Sequence, residues 1–218
     1  MPTEQSIASA TAFGSAAVSR YWPVIVAALN GEDIGQEAVL IAAASTLKAE
    51  LGSSFAPVSE RYSGEPVQYF ESKYGYQTAI GKKLGNTAPG DGYKYRGRGF
   101  LQLTGKNNYT AYGKRLGISL ASNPDLALDP YQGARIFAAY FKDRGVAAAA
   151  NRQDWREVRR LVNGGYNGWD AFIGVVNKLT STVAGTFKPL TPKGETNPSL
   201  LAVLGLTLLG LLGLKYLR

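Results

Sequence analysis

Apolar residues first gather at helical spacing from about Ala16 to Leu29, with Pro23 early enough to sit in or near a first turn. Asn30-Gly31-Glu32-Asp33 interrupts that pattern. A second helix is predicted from about Gly35 to Leu51, nearly all Ala, Val, Ile and Leu over Ala38 to Leu47. A helix apolar on most sides belongs in a core, and Gly52 is well placed to stop it. Phe100 to Thr104 alternates Phe, Leu, Gln, Leu, Thr and suits a short extended segment. Tyr109 to Leu116 reads as a short amphipathic helix ending at Gly117. Tyr131 to Lys142 puts Ile136, Ala139 and Tyr140 on one face, behind the start signal Asp129-Pro130. Asp154 to Val162 mixes Trp155, Val158, Leu161 and Val162 with Arg156, Arg159 and Arg160, a basic face that reads as solvated surface.

The pattern changes after Ala184. Gly185 to Pro198 holds three prolines and little to pack, so it reads as a linker. Ser199 to Leu214 is then almost wholly Leu, Val, Ala and Gly, followed by Lys215-Tyr216-Leu217-Arg218. About sixteen helical residues span roughly 24 Å, and extension through Leu217 brings the length near the lower limit for a bilayer. Residues 199–218 are therefore expected to form one C-terminal transmembrane helix, with Lys215 snorkelling and Tyr216 at the interface. The expected organisation is a globular domain over residues 1–184, a linker over 185–198 and an anchor over 199–218.

Composition narrows the chemistry. The 218 residues include no cysteine and no histidine. That excludes Ser-His-Asp and Cys-His machinery and a zinc site of the usual ligands. Hydrolytic chemistry would have to run on carboxylates, hydroxyls, amides, lysine or a hard oxygen-ligated metal, although no cofactor or metal is expected. The formal charge of +8 favours an anionic partner. Lys and Arg are dispersed along the chain, which ranks nucleic acid last among such partners. Met1 to Ala10, with Glu4 in place of a basic start, does not read as a secretory signal.

The stretch Tyr93 to Tyr109, YKYRGRGFLQLTGKNNY, concentrates tyrosines, arginines, glycines and the polar residues Gln102, Thr104, Asn107 and Asn108. Amides and hydroxyls beside aromatic rings suit a sugar, which offers hydroxyls at its edges and C–H groups on its faces. Glu50 falls in the last turn of the apolar helix, facing the negative end of its dipole, a setting that suits a general acid. Glu60 lies on the segment leaving that helix and can fold back across a cleft, although Glu65 and Glu71 compete for the second carboxylate. Trp155, Trp169 and Phe172 read as core; Trp169 lies close enough to Asn163 to serve as a sugar platform instead.

These residues carry a resemblance. Glu50 to Glu60, Leu84-Gly85-Asn86-Thr87, Gly90-Asp91-Gly92, the run from Tyr95 to Gly105 and Asn108-Tyr109 resemble the glycoside hydrolase family 19 domain of chitinases and many phage endolysins. Asn123-Pro124-Asp125-Leu126-Ala127 and Leu161-Val162-Asn163-Gly164-Gly165 fit as well, so the resemblance covers about residues 18 to 180. It implies a mainly α, lysozyme-like domain with a cleft between two lobes. It also implies Glu50 as general acid and Glu60 as general base of an inverting hydrolysis, with the carboxyls roughly 6.5–9.5 Å apart around a water. Tyr95, Arg98, Gln102, Thr104, Asn108, Tyr109 and Asn163 match positions that bind substrate or hold that water. Three departures stand out: Ala49 where the family often has His, Thr104 where plant members tend to have Ser, and Asp170-Ala171-Phe172 where some members carry Arg. The family together with the tail implies a membrane-anchored, virion-associated enzyme that opens peptidoglycan. A chitinase, a non-catalytic wall-binding module and a structural membrane protein are the rival readings. Oligomeric state is left open.

Overall fold

At the centre of the protein lies the apolar helix α3, Glu37–Leu51. The computed structural model describes residues 1–183, and in it Val39 to Leu47 are buried without a break. A helix with no polar stripe must be covered on every side, and its neighbours supply that cover. They are α1 (Glu4–Thr11), α9 (Val146–Asn151), α10 (Trp155–Asn163) and, most extensively, α11 (Trp169–Val183). Helix α2 (Ser15–Gly31) packs on α8 (Pro130–Asp143), and their inner faces join the same core.

Several helix boundaries follow directly from capping chemistry. Asp129 accepts the N–H of Gln132 at 2.8 Å and starts α8 one residue before Pro130. Asp154 does the same for α10 through the N–H of Glu157. Thr3 and Ser6 cap one another to begin α1, a helix whose small polar surface hid its inward residues Ile7, Ala10 and Thr11. Pro23 corrects the expected start of α2: it stands inside the helix rather than in its first turn. Pro23 and Ser19, the residue whose carbonyl loses its N–H partner, are both solvent-exposed, so water can satisfy the gap.

Two smaller apolar clusters complete the described chain. One joins Tyr95, Leu103, Tyr109, Tyr112, Leu120 and Ile136; the other joins Phe70, Tyr74 and Leu84 beneath α4 (Pro66–Tyr74), α5 (Ala79–Lys83) and α6 (Asp91–Lys94). A two-stranded antiparallel ribbon, β1 (Val58–Ser59) against β2 (Arg98–Gly99), ties this part to the segment leaving α3. The extended segment expected over Phe100–Thr104 is instead a tight turn, closed by reciprocal hydrogen bonds between Arg98 and Leu103. Helix α7 (Lys106–Leu116) follows it and ends at Gly117, as its spacing predicts.

No single helix among the described residues is long and apolar enough to cross a membrane. The expected linker at 185–198 and anchor at 199–218 lie outside the described residues.

Candidate active site

Glu60 is delivered by the ribbon. It directly follows β1, its N–H donates to the Gly97 carbonyl at 2.8 Å, and its side chain is buried. Oε1 accepts from Lys73 Nζ at 2.9 Å and from the Tyr74 hydroxyl at 3.0 Å. Both donors come from the last turn of α4, whose i,i+1 pair happens to straddle one carboxylate oxygen. Burial, and next the charge of Glu60, push the Tyr74 phenol up, so it remains a protonated donor. On the other oxygen, Oε2, the only contact within hydrogen-bond reach among the described residues is the Gly97 N–H at 3.3 Å.

The space above Gly97 is the most informative feature of the site. A Cβ at residue 97 would stand 3.0 Å from Gln102 Oε1, 3.2 Å from Glu60 Oε2 and 3.2 Å from Thr104 Oγ1. Three oxygens, two from the 102–104 turn and one from Glu60, thus face one gap that exists because residue 97 has no side chain. Each oxygen is aimed. The Gln102 amide donates to the Val58 carbonyl at 2.8 Å and the Gly99 carbonyl at 3.2 Å, which turns its own carbonyl towards the gap. Thr104 donates to the Gln102 carbonyl at 2.7 Å, leaving its lone pairs free, and Asn108 donates to the Thr104 carbonyl at 2.7 Å from behind. Gln102 adopts φ 52°, unusual for a side chain of its size, and its two amide bonds hold it there. Three acceptors around one gap suit a small donor such as water, whose two hydrogens can satisfy two of them at a time.

Glu50 has different surroundings. It lies in the last turn of α3, partly buried, with Oε1 accepting from Arg159 Nη1 at 2.6 Å. Arg159 is 1% exposed, the bulkiest fully buried side chain in the described chain. Two further N–H groups go to the Asn167 carbonyl, from Nε at 2.7 Å and from Nη2. Glu50 Oε2 makes no hydrogen bond among the described residues. The expected solvated basic face of α10 is therefore corrected at Arg159, although Arg156 and Arg160 do face solvent. Trp155, Val158, Arg159 and Val162 recur at i, i+3, i+4 and i+7, and that spacing puts Arg159 on the inward stripe. Reading charge rather than position hid it.

Three expected substrate contacts lie beneath the surface: Tyr95 is 4% exposed, Arg98 4% and Tyr109 0%. They hold the turn in place from below. Arg98 bonds Asp125 at 2.7 Å, the Lys94 and Arg96 carbonyls and the Tyr109 hydroxyl; Tyr109 donates to the Arg96 carbonyl at 2.9 Å. Tyr95 donates to the Ala121 carbonyl. Burial lifts the Tyr109 phenol to about 12 even with Arg98 beside it. Asn163 is also buried, and its Oδ1 has no partner among the described residues. It stays a candidate for a donor that the protein itself does not supply.

The rival carboxylates separate cleanly. Glu71 accepts the N–H groups of Tyr93 at 2.8 Å and Gly90 at 3.2 Å, which is a structural task at the start of α6. Glu65 is exposed at the N-terminus of α4. Lys73 was invisible in the sequence because only tertiary packing brings α4 to Glu60. Trp169 is half-buried, stacked on the core ring of Phe172 at 5.9 Å and edge-on to the exposed Tyr166. No group of three or more His, Cys, Asp or Glu side chains suited to a metal occurs among the described residues.

No family model matches the chain. Over 91 residues it is 38% identical to a glycosyl hydrolase family 19 domain-containing protein of Haemophilus influenzae, a match covering 39% of this chain and 41% of that protein. Over 86 residues it is 36% identical to Chitinase 8 of Oryza sativa subsp. japonica, covering 38% of this chain and 30% of that one. The chain thus spans less than half the length of these curated relatives. Among solved structures it is similar to chitinase C from Streptomyces griseus HUT6037, with a TM-score of 0.55 and 21% identity over 82% of this chain and 74% of that one. A point mutant of chitinase C gives a TM-score of 0.56 at the same identity and coverage. The mainly helical fold is therefore shared with these chitinases.

Proposed function

We propose that the protein is a glycoside hydrolase of the family 19 type that cuts β-1,4 bonds in the glycan strands of peptidoglycan. The observation that carries this reading is the gap above Gly97, where Glu60 Oε2, Thr104 Oγ1 and Gln102 Oε1 converge. A water seated there gives one proton to Glu60 and keeps its oxygen aimed at the anomeric carbon, while its second hydrogen, donated to Thr104 or Gln102, fixes its orientation. Glu50 delivers a proton from Oε2 to the departing glycosidic oxygen, with Arg159 holding Oε1 still. The C1–O bond breaks as the C1–water bond forms, so the anomeric centre inverts. Lys73 and Tyr74 keep the second carboxylate pointed at the gap through its other oxygen.

The partial identity to two glycan-hydrolase sequences supports the reaction class. The charge of +8 supports an anionic polymer such as peptidoglycan over neutral chitin. Chitin is the second reading, favoured by the likeness to chitinases. The apolar run at 199–218 supports a membrane-anchored enzyme acting on the adjacent wall, in a virion or in the host envelope during phage entry or release.

The test is digestion of purified sacculi and of chitin by the full chain, with reducing ends counted and product masses recorded. Wild type should release disaccharide-type fragments from sacculi, and Glu50→Gln should lose at least ~100-fold of that rate. Full activity of Glu50→Gln would overturn the mechanism; products from chitin alone would overturn the substrate.

A further inference from the structure

We propose that Arg156, Tyr166 and Trp169 form a subsite that takes a carboxylate-bearing sugar of the glycan strand beside Glu50. This deepens the reading above and rests on it, since it assigns the residues that would tell an anionic strand from a neutral one.

Three observations converge. First, the guanidinium of Arg156 lies 4.9 Å from the centre of the Tyr166 ring and 5.8 Å from that of Trp169. The two rings meet edge to face at 6.1 Å, and Trp169 is anchored on the core through Phe172. Second, the cluster is open and its charge is uncompensated. Tyr166 is 46% exposed, Arg156 is exposed, and Arg156 makes no ion pair among the described residues. Its neighbours on α10 are both taken, Arg159 by Glu50 and Arg160 by Glu157. Third, the cluster is mounted on the clamp that holds Glu50. Tyr166 immediately precedes Asn167, whose carbonyl accepts from Arg159, and Arg156 sits one helical turn before Arg159 on α10.

The chemistry points to one ligand class. A guanidinium pinned over aromatic faces keeps its planar N–H fork directed outward, where it can grip a carboxylate with two parallel bonds. The exposed Tyr166 ring beside it offers a face for the C–H side of a sugar. A strand whose sugars carry lactyl or peptide carboxylates satisfies both groups, whereas a polymer of neutral N-acetylglucosamine satisfies only the ring. The same cluster could instead do no more than stiffen the loop, and the two roles separate by substrate.

The experiment uses the full chain on three probes: sacculi, sacculi whose carboxyls have been amidated with carbodiimide and an amine, and chitohexaose. Arg156→Ala should lower kcat/KM on sacculi by about fivefold to tenfold more than on either neutral probe, through KM, and Arg156→Lys should recover part of it. Pelleting of a Glu50→Gln background with sacculi gives the binding arm, and adding Arg156→Ala should weaken that binding by a similar factor. Equal losses on all three probes, or unchanged pelleting, would overturn the subsite. Wild-type protein that pellets with sacculi in an Arg156-dependent way but releases no reducing ends would overturn the hydrolase reading and leave the subsite standing.

Discussion

Glu50 and Glu60 are the same residue type ten positions apart, and the fold treats them oppositely. Glu50 hangs from the end of a core helix and is gripped by one buried arginine through one oxygen. Glu60 follows a short strand and is surrounded by three donors, with Lys73 and Tyr74 on one oxygen and Gly97 on the other. The first carboxyl leaves an oxygen with no partner among the described residues, which suits the proton delivery proposed for it. The second offers its less encumbered oxygen to a gap shared with Thr104 and Gln102, as water activation requires. The proposed mechanism assigns the two carboxyls different tasks by what each one's second oxygen faces.

The comparison breaks most sharply at Glu60 itself. Glu60→Gln should lower kcat by about 10³-fold, because the amide oxygen cannot take the water's proton. Next comes Gly97→Ala, which fills the gap with a methyl pressed against Glu60 Oε2 while leaving both carboxyl groups chemically intact. A loss of about 10²-fold in kcat is expected, with sacculus binding by pelleting nearly intact. Equal activity would remove the gap from the mechanism.

Arg159→Met tests the other half. Deleting one partner of a buried pair costs about 3 kcal/mol, towards the low end of such losses because the Glu50 side chain is 15% exposed. Thermal denaturation should show a fall of roughly 6–12 °C for a domain of this size, together with slower turnover. An unchanged melting temperature would mean that the clamp does not stabilise the fold. Lys73→Met is expected to be milder. Tyr74 and Gly97 still hold Glu60, so kcat should fall by about tenfold with KM unchanged and Lys73→Arg should restore part of it.

The smallest effect concerns pH and stability away from the chemistry. Burial alone would raise Asp91, yet the N–H groups of Thr87 and Ala88 and the Lys106 ammonium hold its carboxyl below the ordinary range. A carboxyl lowered in the folded state adds stability above the unfolded value near ~3.9, and that stability is lost as pH falls through the folded value. Urea midpoints should therefore decline less from pH 5 to pH 3 in Asp91→Asn than in wild type. Parallel declines would remove Asp91 from the account of acid stability.

How much of this was legible in the sequence differs between the two carboxyls. The helix that ends at Glu50 was readable because ten nearly unbroken apolar positions and Gly52 are local signals. Arg159 was readable too, since its spacing from Trp155 and Val158 places it inside. It was obscured by two other arginines on the same helix. The surroundings of Glu60 were not readable by any local rule. Lys73 reaches it only because α4 packs against the ribbon, and the turn over Phe100–Gln102 is set by side-chain bonds to Val58, more than forty residues upstream. The alternation from Phe100 to Thr104 was too short to distinguish a strand from a turn. Tyr95, Arg98 and Tyr109 stand in the same motif as Gln102 and Thr104, and a motif does not reveal which of its members face inward.

The central claim is that Glu60 activates a water over Gly97 rather than attacking the sugar itself. Proton NMR of the first products released from a soluble β-1,4 glycan, recorded before mutarotation, tests it most directly. The account predicts α-anomeric reducing ends from the β-linked substrate, formed at a rate that Gly97→Ala suppresses. β-Anomeric first products would mean a covalent glycosyl-enzyme and would contradict it.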